Sequence, residues 1–307
     1  MSNVLVTGGA GFIGSHVADA MVAAGHSVAV LDDLSTGKRA NVNPAARLHV
    51  ADLCDRAAVD AVLDAERPEV ICHLAAKANV RESMVKPVLY AQVNILGSLN
   101  LLESAREHGV RKIIYASTGG AAYGEPQYLP ADEEHPVNPL DPYGASKHHV
   151  EHYLFIYNKH YGLDYTTLRF PNVYGPRQDP DGEAGVVAIW ANQMLNGAQP
   201  VINGTGEQER DFVYVGDIAR ANVLALDKGS GAILNLGSGV GTPIIDIFHA
   251  LKRATGSDCE EVHGPAKLGE VFRIYLDASR AGAVLGWEAD VSLDEGLART
   301  VDHFRQG

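Results

Sequence analysis

The predicted fold is decided by an apolar run and the glycine-rich turn after it, Val4-Leu5-Val6-Thr7-Gly8-Gly9-Ala10-Gly11-Phe12-Ile13-Gly14. The run is short and rich in β-branched residues, which predicts a buried strand. The pattern that follows the glycines predicts a helix that begins near Phe12. A strand, a tight turn and a helix in this order open a βαβ unit.

The turn has the spacing G-x-x-G-x-x-G at Gly8, Gly11 and Gly14, a variant of the dinucleotide-binding fingerprint. Glycine keeps side chains away from an approaching pyrophosphate, and the helix offers it free N–H groups and a positive dipole end. We therefore expect a dinucleotide at this turn. Phe12 and Ile13, at the start of the helix, belong to the predicted site.

Asp32 ends the second predicted strand, 18 residues after Gly14. A carboxylate at this point accepts hydrogen bonds from ribose hydroxyls and repels a 2′-phosphate, so the sequence favours NAD over NADP. Asp33 follows directly and is included in the predicted cofactor site. Lys38 and Arg39 leave an alternative open, because these cations could instead serve a phosphate.

The first half of the chain alternates predicted strands and helices. Buried strands are predicted at Val4–Thr7, Val28–Leu31, Val70–Leu74, Lys112–Ala116 and Tyr165–Arg169. Helices are predicted at Ser15–Ala24, Ala57–Ala65, Tyr90–His108 and Gly144–His160. This alternation predicts an α/β fold, a doubly wound Rossmann-type sheet that is mainly parallel, with a smaller α/β substrate-binding lobe.

The second half is less regular. Residues 171–184 are rich in Pro, Gly and Asp and predict a long loop. Later helices are predicted at Val186–Asn196, Ile244–Thr255 and Leu293–Arg305, and strands at Phe212–Val215 and Ile233–Leu236. We assign 1–170 to the dinucleotide-binding domain, with 212–240 packing back onto it. Residues 171–211 and 241–307 are expected to form the second lobe.

Composition limits the partners that we expect. The 307 residues include 38 acidic and 25 basic side chains, a formal net charge of −13. This surplus disfavours nucleic acid and anionic membranes, so neither is an expected partner. No run approaches the ~18 apolar residues of a membrane helix. Cys54, Cys72 and Cys259 are scattered without a CxxC pair, which predicts a reducing, cytoplasmic location and no structural metal site.

Tyr143 and Lys147 lie four residues apart, which places the phenol and the ammonium on one face of the predicted helix. A phenol with a pKa near 10 is a poor base at neutral pH. A neighbouring cation favours the phenolate, so the pair predicts a general base. Its place after several βα units makes this interpretation stronger than that of a surface pair.

A set of ordered motifs resembles the extended short-chain dehydrogenase/reductases, and within them the NAD-dependent sugar-nucleotide epimerases of the UDP-glucose 4-epimerase type. The resemblance covers essentially the whole chain. Its motifs are GGAGFIG (8–14), DD (32–33), HLAA (73–76), YASTGGAAYG (115–124), YGASK (143–147), LRFPNVYGPR (168–177) and RDFVYVGDIA (210–219).

The resemblance implies roles for residues around the cofactor. Tyr143 would be the base, Lys147 would hold the nicotinamide ribose, and Phe170 would pack beside the nicotinamide. Asp52 and Leu53 would flank the adenine, although Asp52 could be an ordinary loop acid. The expected groove lining consists of Leu74, Ala75, Ala76 and Asn94, and for Asn94 a helix-surface amide is the alternative.

The resemblance also implies contacts with the diphosphate of a nucleotide sugar. Asn172 and Arg210 would bind it, although Arg210 could instead pair with Asp211. The family's Arg-x-Gly-Asp/Glu segment appears here as Lys267-Leu268-Gly269-Glu270, and lysine lacks the bidentate fork of arginine. Arg177 or Arg273 could compensate. The residues expected at the substrate are Thr118, Tyr143, Asn172, Val187, Arg210, Lys267 and Glu270.

The family carries a Ser or Thr after the strand that precedes the tyrosine. Counting back from Tyr123 reaches Gly119, whereas counting forward from the strand reaches Ser117 or Thr118. We favour Thr118, with Ser117 second. Related 4,6-dehydratases have an Asp-Glu pair next, where this chain has Gly120 and Ala121.

The resemblance therefore implies an isomerase that inverts C4 of a UDP-hexose, UDP-glucose or UDP-galactose, through a transient 4-keto sugar. Alternatives are a 4,6-dehydratase, a 4-epimerase for UDP-glucuronate or UDP-N-acetylhexosamine, and a non-enzymatic NAD-binding regulator. A homodimer is expected through Tyr90–His108 and Gly144–His160. In the family, a residue a few positions after the Gly-Asp/Glu pair limits the room around the C2 substituent of the sugar, and a tyrosine there resembles a closed gate. The corresponding residue here is Ile274, which is smaller, so the resemblance implies room for an N-acetyl group.

Overall fold

A sheet of seven parallel strands forms the centre of the molecule in a computed structural model that describes residues 1–181, 185–266 and 271–306. The strands, in chain order, are β1 (Asn3–Thr7), β2 (Ser27–Asp32), β3 (Arg47–Val50), β4 (Val70–His73), β5 (Lys112–Thr118), β6 (Asp164–Phe170), β7 (Asn172–Tyr174), β8 (Ile202–Asn203), β9 (Glu209–Arg210), β10 (Phe212–Tyr214), β11 (Ala232–Asn235), β12 (Thr242–Pro243), β13 (His263–Gly264) and β14 (Arg273–Ile274). The central sheet has the order β3-β2-β1-β4-β5-β6-β11. This order reverses between β1 and β4, as in doubly wound sheets, so the predicted fold class is confirmed.

Helices cover both faces of this sheet. In chain order they are α1 (Phe12–Ala23), α2 (Arg56–Glu66), α3 (Val80–Val85), α4 (Pro87–Tyr90), α5 (Gly97–Glu107), α6 (Gly119–Ala122), α7 (Pro142–Tyr161), α8 (Val186–Leu195), α9 (Val215–Leu224), α10 (Ile244–Thr255), α11 (Ser279–Leu285) and α12 (Leu293–Gln306), with a 3₁₀ turn at Arg39–Asn41 and a π-helix at Ala91–Leu96. Alternate strand side chains point to opposite faces. Val4 and Val6 pack with α1, α9 and α11, and Leu5 packs with α2, α5 and α7. Among the described residues, no helix is long and apolar enough to span a membrane.

The edge strand β3 is absent from the sequence prediction. Its residues Arg47-Leu48-His49-Val50 alternate between charged or polar and apolar side chains, and two of the four are exposed. An edge strand needs no continuous apolar run, because one side of it faces solvent. Only its pairing with β2 identifies it, through partners such as Val30 and Leu48.

The region predicted as one helix, Tyr90–His108, contains a change of helix type. The chain leaves α4 at Tyr90, passes through the π-helix Ala91–Leu96 and continues as α5. π turns are frequent at functional sites. Here the π-helix holds Asn94, whose side chain turns toward the loop after β4.

The second lobe is built on α8, α10 and α12, whose apolar faces meet around Trp190, Phe248 and Leu297. Its strands form small sheets, β7 with β10, β12-β9-β14, and β13 with β8. Parts of the late chain return to the first lobe, because β11 pairs with β6 and α9 lies on α1. The helix α11 and Trp287 also pack there, although the sequence assignment put them in the second lobe; the indole N–H of Trp287 donates to the carbonyl of Asp217 at 2.8 Å.

Candidate active site

A cavity of about 590 Å³ lies at the carboxyl ends of the central strands, where ligands of doubly wound folds bind. It extends from the glycine turn after β1 to the start of α7 and the segment after β6. The structure brings most of the predicted cofactor and catalytic residues to its wall, namely Gly8, Gly11, Phe12, Ile13, Gly14, Asp32, Asp33, Asp52, Leu53, Leu74, Ala75, Ala76, Ser117, Thr118, Tyr143, Lys147 and Phe170.

The glycine turn is shaped for close approach. Gly8 has φ +70°, and a Cβ at this position would lie 2.7 Å from the backbone nitrogen of Ala75. A Cβ on Gly14 would lie 3.0 Å from the Cα of Gly9, so this glycine lets α1 pack on the turn. Gly11 precedes the first residue of α1, which directs the free N–H groups of that helix into the cavity. These features fit the pyrophosphate of a dinucleotide.

Asp32 is buried at the end of β2, with 7% of its surface exposed. Its carboxylate accepts hydrogen bonds from the N–H groups of Ala10 and Leu34, both at 2.9 Å. Burial raises the pKa of Asp32, and the two backbone hydrogen bonds oppose that shift. Lys38 was one of the two cations that could instead serve a phosphate. Its Nζ lies 3.3 Å from Asp179 Oδ2, so it forms an ion pair with this carboxylate. The arrangement fits a ribose better than a 2′-phosphate.

Asn94 does not line the cavity, contrary to the prediction. It is 1% exposed, its side-chain carbonyl accepts from the N–H of Lys77, and its amide donates to the carbonyl of Lys77 and to Ser146 Oγ. The alternative of a surface amide is wrong as well. Asn94 instead fixes the loop after β4 against α7, and Ala76 and Lys77 of that loop do line the cavity.

The predicted base stands at the beginning of α7. The carboxylate of Asp141 caps this helix by accepting from the N–H of Gly144 at 2.8 Å, and Pro142 is its first residue. Tyr143 is therefore in the first turn, where the positive end of the helix dipole favours an anion. Both Tyr143 and Lys147 line the cavity.

Lys147 is buried, with 3% of its surface exposed, and its Nζ lies 4.4 Å from the centre of the Tyr115 ring. Burial lowers the pKa of Lys147 to about 7, and the negative charge of Glu151 opposes the shift. The ring face of Tyr115 stabilises the ammonium form. The ammonium group is thus held next to the cavity in an apolar setting, where it acts strongly on nearby charges.

The two hydroxyls that competed for the Ser/Thr role have different partners. Ser117 Oγ donates to Glu151 Oε1 at 2.6 Å. Thr118 Oγ1 accepts from the N–H of Ala121 at 3.2 Å, which leaves its own hydrogen for another acceptor. Successive residues of β5 point to opposite faces, so only one of them can face a given ligand atom. The geometry favours Thr118.

A buried charged network behind β5 was not anticipated from the sequence. Glu151 and Arg169 are 3% and 2% exposed, and the guanidinium donates to both carboxylate oxygens at 3.0 and 2.7 Å. Burial favours a higher pKa for Glu151, but the hydrogen bonds from Arg169, His148 and Ser117 outweigh it and bring the pKa to about 2. An arginine inside the otherwise buried strand Tyr165–Arg169 is the signal that could have revealed it, because a buried cation needs a partner.

Of the predicted substrate residues, Thr118 and Tyr143 line the cavity, whereas Asn172 and Arg210 lie outside its lining. Asn172 is in β7 and its N–H donates to the carbonyl of Asp211. Arg210 is in β9, where its Nη1 donates to the carbonyls of Glu209 and Phe272 at 2.8 and 3.3 Å. The suggested pair of Arg210 with Asp211 is wrong, because the Asp211 carboxylate instead accepts from Ser238 and from the N–H of Leu276.

The remaining substrate predictions have different outcomes. Val187 is 1% exposed and packs in the core of the second lobe, so it does not line the cavity. Lys267 and Glu270 lie outside the described residues. Ile274, the expected open gate, is 3% exposed and packs with Tyr123 and Leu276.

Of the two arginines named as substitutes for Lys267, Arg273 lies in β14 and pairs with Glu209 at 3.3 Å. Arg177 is instead bound to α1, where its guanidinium donates to Asp19. The register of β14 on β9 places Arg273 opposite Glu209 and Ile274 opposite Arg210, so the two arginines are not cross-strand partners. Arg177 lies on the cofactor side of the cavity.

The fold, the glycine turn and the Tyr143/Lys147 pair define a nucleotide-dependent α/β enzyme, and the chain belongs to the NAD dependent epimerase/dehydratase family, whose profile matches residues 4–237. It is 44% identical over 306 residues to UDP-glucose 4-epimerase of Mycolicibacterium smegmatis, with 98% of each chain covered.

Two solved structures are similar over nearly the full length. A UDP-glucose 4-epimerase from Thermotoga maritima, determined with UDP-glucose, has a TM-score of 0.97 and 48% identity, with 99% of both chains covered. A UDP-glucose 4-epimerase from Thermus thermophilus, in complex with NAD, has a TM-score of 0.94 and 46% identity, with 98% of both chains covered.

Proposed function

We propose that this chain catalyses the reversible, NAD-dependent epimerisation of UDP-glucose and UDP-galactose at C4, through a transient 4-keto sugar. One observation carries the proposal: the Tyr143 phenol and the Lys147 ammonium line the same cavity as the glycine turn and Asp32. A substrate bound in this cavity can therefore contact both the proposed base and the bound dinucleotide. The likeness to named UDP-glucose 4-epimerases supports the choice of substrate.

The residues present fit NAD, because the turn at Gly8 excludes side chains and Asp32 stands at the end of β2. When bound, NAD supplies a nicotinamide that takes a hydride from C4 and returns it. Tyr143 takes the proton of the 4-hydroxyl as phenolate, directly or through Thr118, and later gives it back. Lys147 and the start of α7 favour that phenolate electrostatically.

Inversion requires that the sugar turns over while its nucleotide stays bound. Asn172 and Arg210 of the second lobe are the proposed diphosphate ligands, with Lys267 and Glu270 as further candidates. Contacts at the diphosphate end leave the hexose free to present either face of its keto form.

The segment after β5 argues against elimination. A 4,6-dehydratase needs acidic side chains beside the reacting sugar, and the positions after Gly119 in α6 are Gly120 and Ala121. Glycine has no side chain, and the methyl group of alanine cannot transfer a proton. The proposed reaction therefore ends with the hydride returned to C4 rather than with loss of water.

Apolar side chains on α3, α4, the π-helix and α7 support a homodimer. Their exposed fractions are 61% for Met84, 79% for Val85, 68% for Val88, 56% for Leu96 and 44% for Phe155. These side chains belong to elements that pack on one another, and an exposed apolar surface often marks an interaction site. The proposed dimer buries this surface between two copies.

The three cysteines, Cys54, Cys72 and Cys259, are free thiols, which supports a location in the reducing cytoplasm.

The nucleotides released from the denatured, purified protein test the cofactor assignment. Mass spectrometry is expected to find NAD in near-stoichiometric amount, together with traces of UDP-hexose. Finding NADP, or no dinucleotide after incubation with NAD, would contradict the proposal.

A further inference from the structure

The segment Pro176–Asp179 crosses from the second lobe to the rim of the cofactor cavity. Arg177, Gln178 and Asp179 line the cavity from this side, and Lys38 and Asn41 line it from the loop after β2. Two chain segments far apart in sequence thus meet over the glycine turn. We call the group Lys38, Asn41, Pro176, Arg177 and Asp179 the clasp.

Arg177 connects three parts of the molecule. Its Nη2 donates to Asp19 Oδ2 at 2.7 Å and to His16 Nδ1 at 2.9 Å, both on α1. Its Nη1 donates to the carbonyl of Asn41 at 3.2 Å. One guanidinium therefore ties the segment after β7 to the helix behind the glycine turn and to the loop after β2, a use suited to the fixed fork of arginine.

The hydrogen bonds of His16 are determined by those of Arg177. Because arginine can only donate, His16 Nδ1 must accept, and the ring hydrogen lies on Nε2. That Nε2 donates to the carbonyl of Pro176 at 2.9 Å. Burial and the adjacent Arg177 charge lower the pKa of His16 to about 4, so the neutral ring persists at physiological pH. The segment is held at two consecutive residues.

The backbone of Arg177 adopts a conformation that favours glycine. Its φ is +66°, in the left-handed region that costs free energy for a residue with a side chain. Such strain persists only where the surrounding contacts enforce it, and it is concentrated at functional sites. Here the enforcing contacts are the bonds to Asp19, His16 and Asn41.

A second bridge closes the rim at the surface. Lys38 Nζ lies 3.3 Å from Asp179 Oδ2, with 60% and 39% of the two side chains exposed. An exposed pair of this kind contributes little to the stability of the fold. Its position between two cavity-lining segments gives it another use, because it must open whenever the two segments separate.

We propose that the clasp, centred on Arg177, sets the residence time of the bound dinucleotide. The inference rests on the proposed function, in which the dinucleotide is regenerated in each turnover and has no need to leave. Early loss of the reduced form would strand the keto sugar. A closure between the two segments slows that loss without adding any contact to the sugar.

The rate of NAD release tests the proposal directly. The protein is loaded with NAD, freed of excess by rapid desalting, and the NAD that stays bound is measured over time. Arg177→Ala should release NAD at least tenfold faster than the wild type. Arg177→Gly should do the same, because it keeps the left-handed backbone but lacks the guanidinium.

Two milder variants cover the case in which Arg177 variants do not fold. Asp19→Asn removes the charge partner of Arg177, and Lys38→Ala removes the surface ion pair with Asp179. Each variant should release NAD more than twofold faster than the wild type. Arg220→Ala is the matched control, because Arg220 pairs with Asp217 and Asp290 at 3.3 and 2.7 Å away from the cavity wall. It should release NAD within twofold of the wild-type rate.

The outcomes separate this inference from the proposed function. If Arg177→Ala folds and releases NAD at the wild-type rate, the proposal about the clasp is wrong and the proposed function stands. The same conclusion holds if Arg177→Ala does not fold and both Asp19→Asn and Lys38→Ala release NAD at the wild-type rate. If the wild type does not bind NAD, both proposals are wrong.

Discussion

At Lys147, the proposed chemistry requires an ammonium group in a place where burial disfavours its charge. The residue is 3% exposed, and its pKa is lowered to about 7. The Glu151 carboxylate one turn later and the Tyr115 ring partly offset the desolvation. A residue that lowers stability in this way is typical of active sites.

Lys147→Met should therefore stabilise the nucleotide-free protein while abolishing epimerisation. Below pH ~7 the folded protein carries the full cost of a buried ammonium, and we expect a gain of about 2–4 kcal/mol. As pH rises from about 7 to 10.5, the unfolded chain keeps a proton that the folded protein loses, so the wild type recovers and the gain fades.

Urea denaturation at pH 6 and pH 10 measures the gain from Lys147→Met. The control is Lys159→Met, which changes an exposed lysine of the same helix and should have little effect at either pH. A Lys147→Met protein less stable than the wild type at pH 6 would show that the ammonium stabilises the fold.

Tyr143→Phe removes only the phenolic oxygen and should lower kcat by 10²-fold or more, because the proposed base is lost. NAD should remain bound, since the glycine turn and Asp32 are untouched. Initial rates with UDP-galactose and the bound NAD content measure the two effects. Tyr153→Phe, on the same helix, serves as control. A Tyr143→Phe variant with more than a tenth of the wild-type kcat would show that another group takes the proton.

At the scale of elements, the sequence predicts the strands of the central sheet that bury a continuous apolar run, and most of the longer helices from their periodic apolar residues, although α9 is missed. It does not predict β3, an edge strand with alternating polar residues, nor the π turn that aims Asn94 at Lys77. The glycine turn and the YGASK motif are local patterns, so Gly8 and Tyr143 are identified from the sequence. Asn94, Val187 and Arg177 depend on tertiary contacts that no local pattern encodes.

The link between α7, β5 and β6 is the Glu151–Arg169 pair. Glu151→Gln would leave a buried guanidinium without its counter-charge and should cost about 3–5 kcal/mol of unfolding free energy. Chemical denaturation at pH 7 measures the loss. The matched control is Glu295→Gln in the exposed Glu295–Arg299 pair of α12, which should change the free energy by less than about 1 kcal/mol. Equal, small losses for both variants would mean that the buried pair is not needed by the fold.

At the scale of the whole molecule, the exposed apolar face on α3, α4, the π-helix and α7 predicts a dimer. Light scattering at micromolar concentration should give twice the chain mass of 32.7 kDa. Leu96→Glu places a charge in that face and should give a monomer, whereas Val240→Glu, at a position 59% exposed in the loop before β12, should remain dimeric. A monomeric wild type would refute the proposed dimer.

The central claim is that the two lobes enclose one site for reversible inversion at C4. The most direct measurement incubates the wild-type protein with UDP-galactose, and separately with UDP-glucose, and follows both sugars, NADH and any keto sugar by chromatography. We predict that both reactions reach the same ratio of the two UDP-hexoses, with neither NADH nor a keto sugar accumulating. No interconversion, or a stable keto product with or without NADH, would contradict the account.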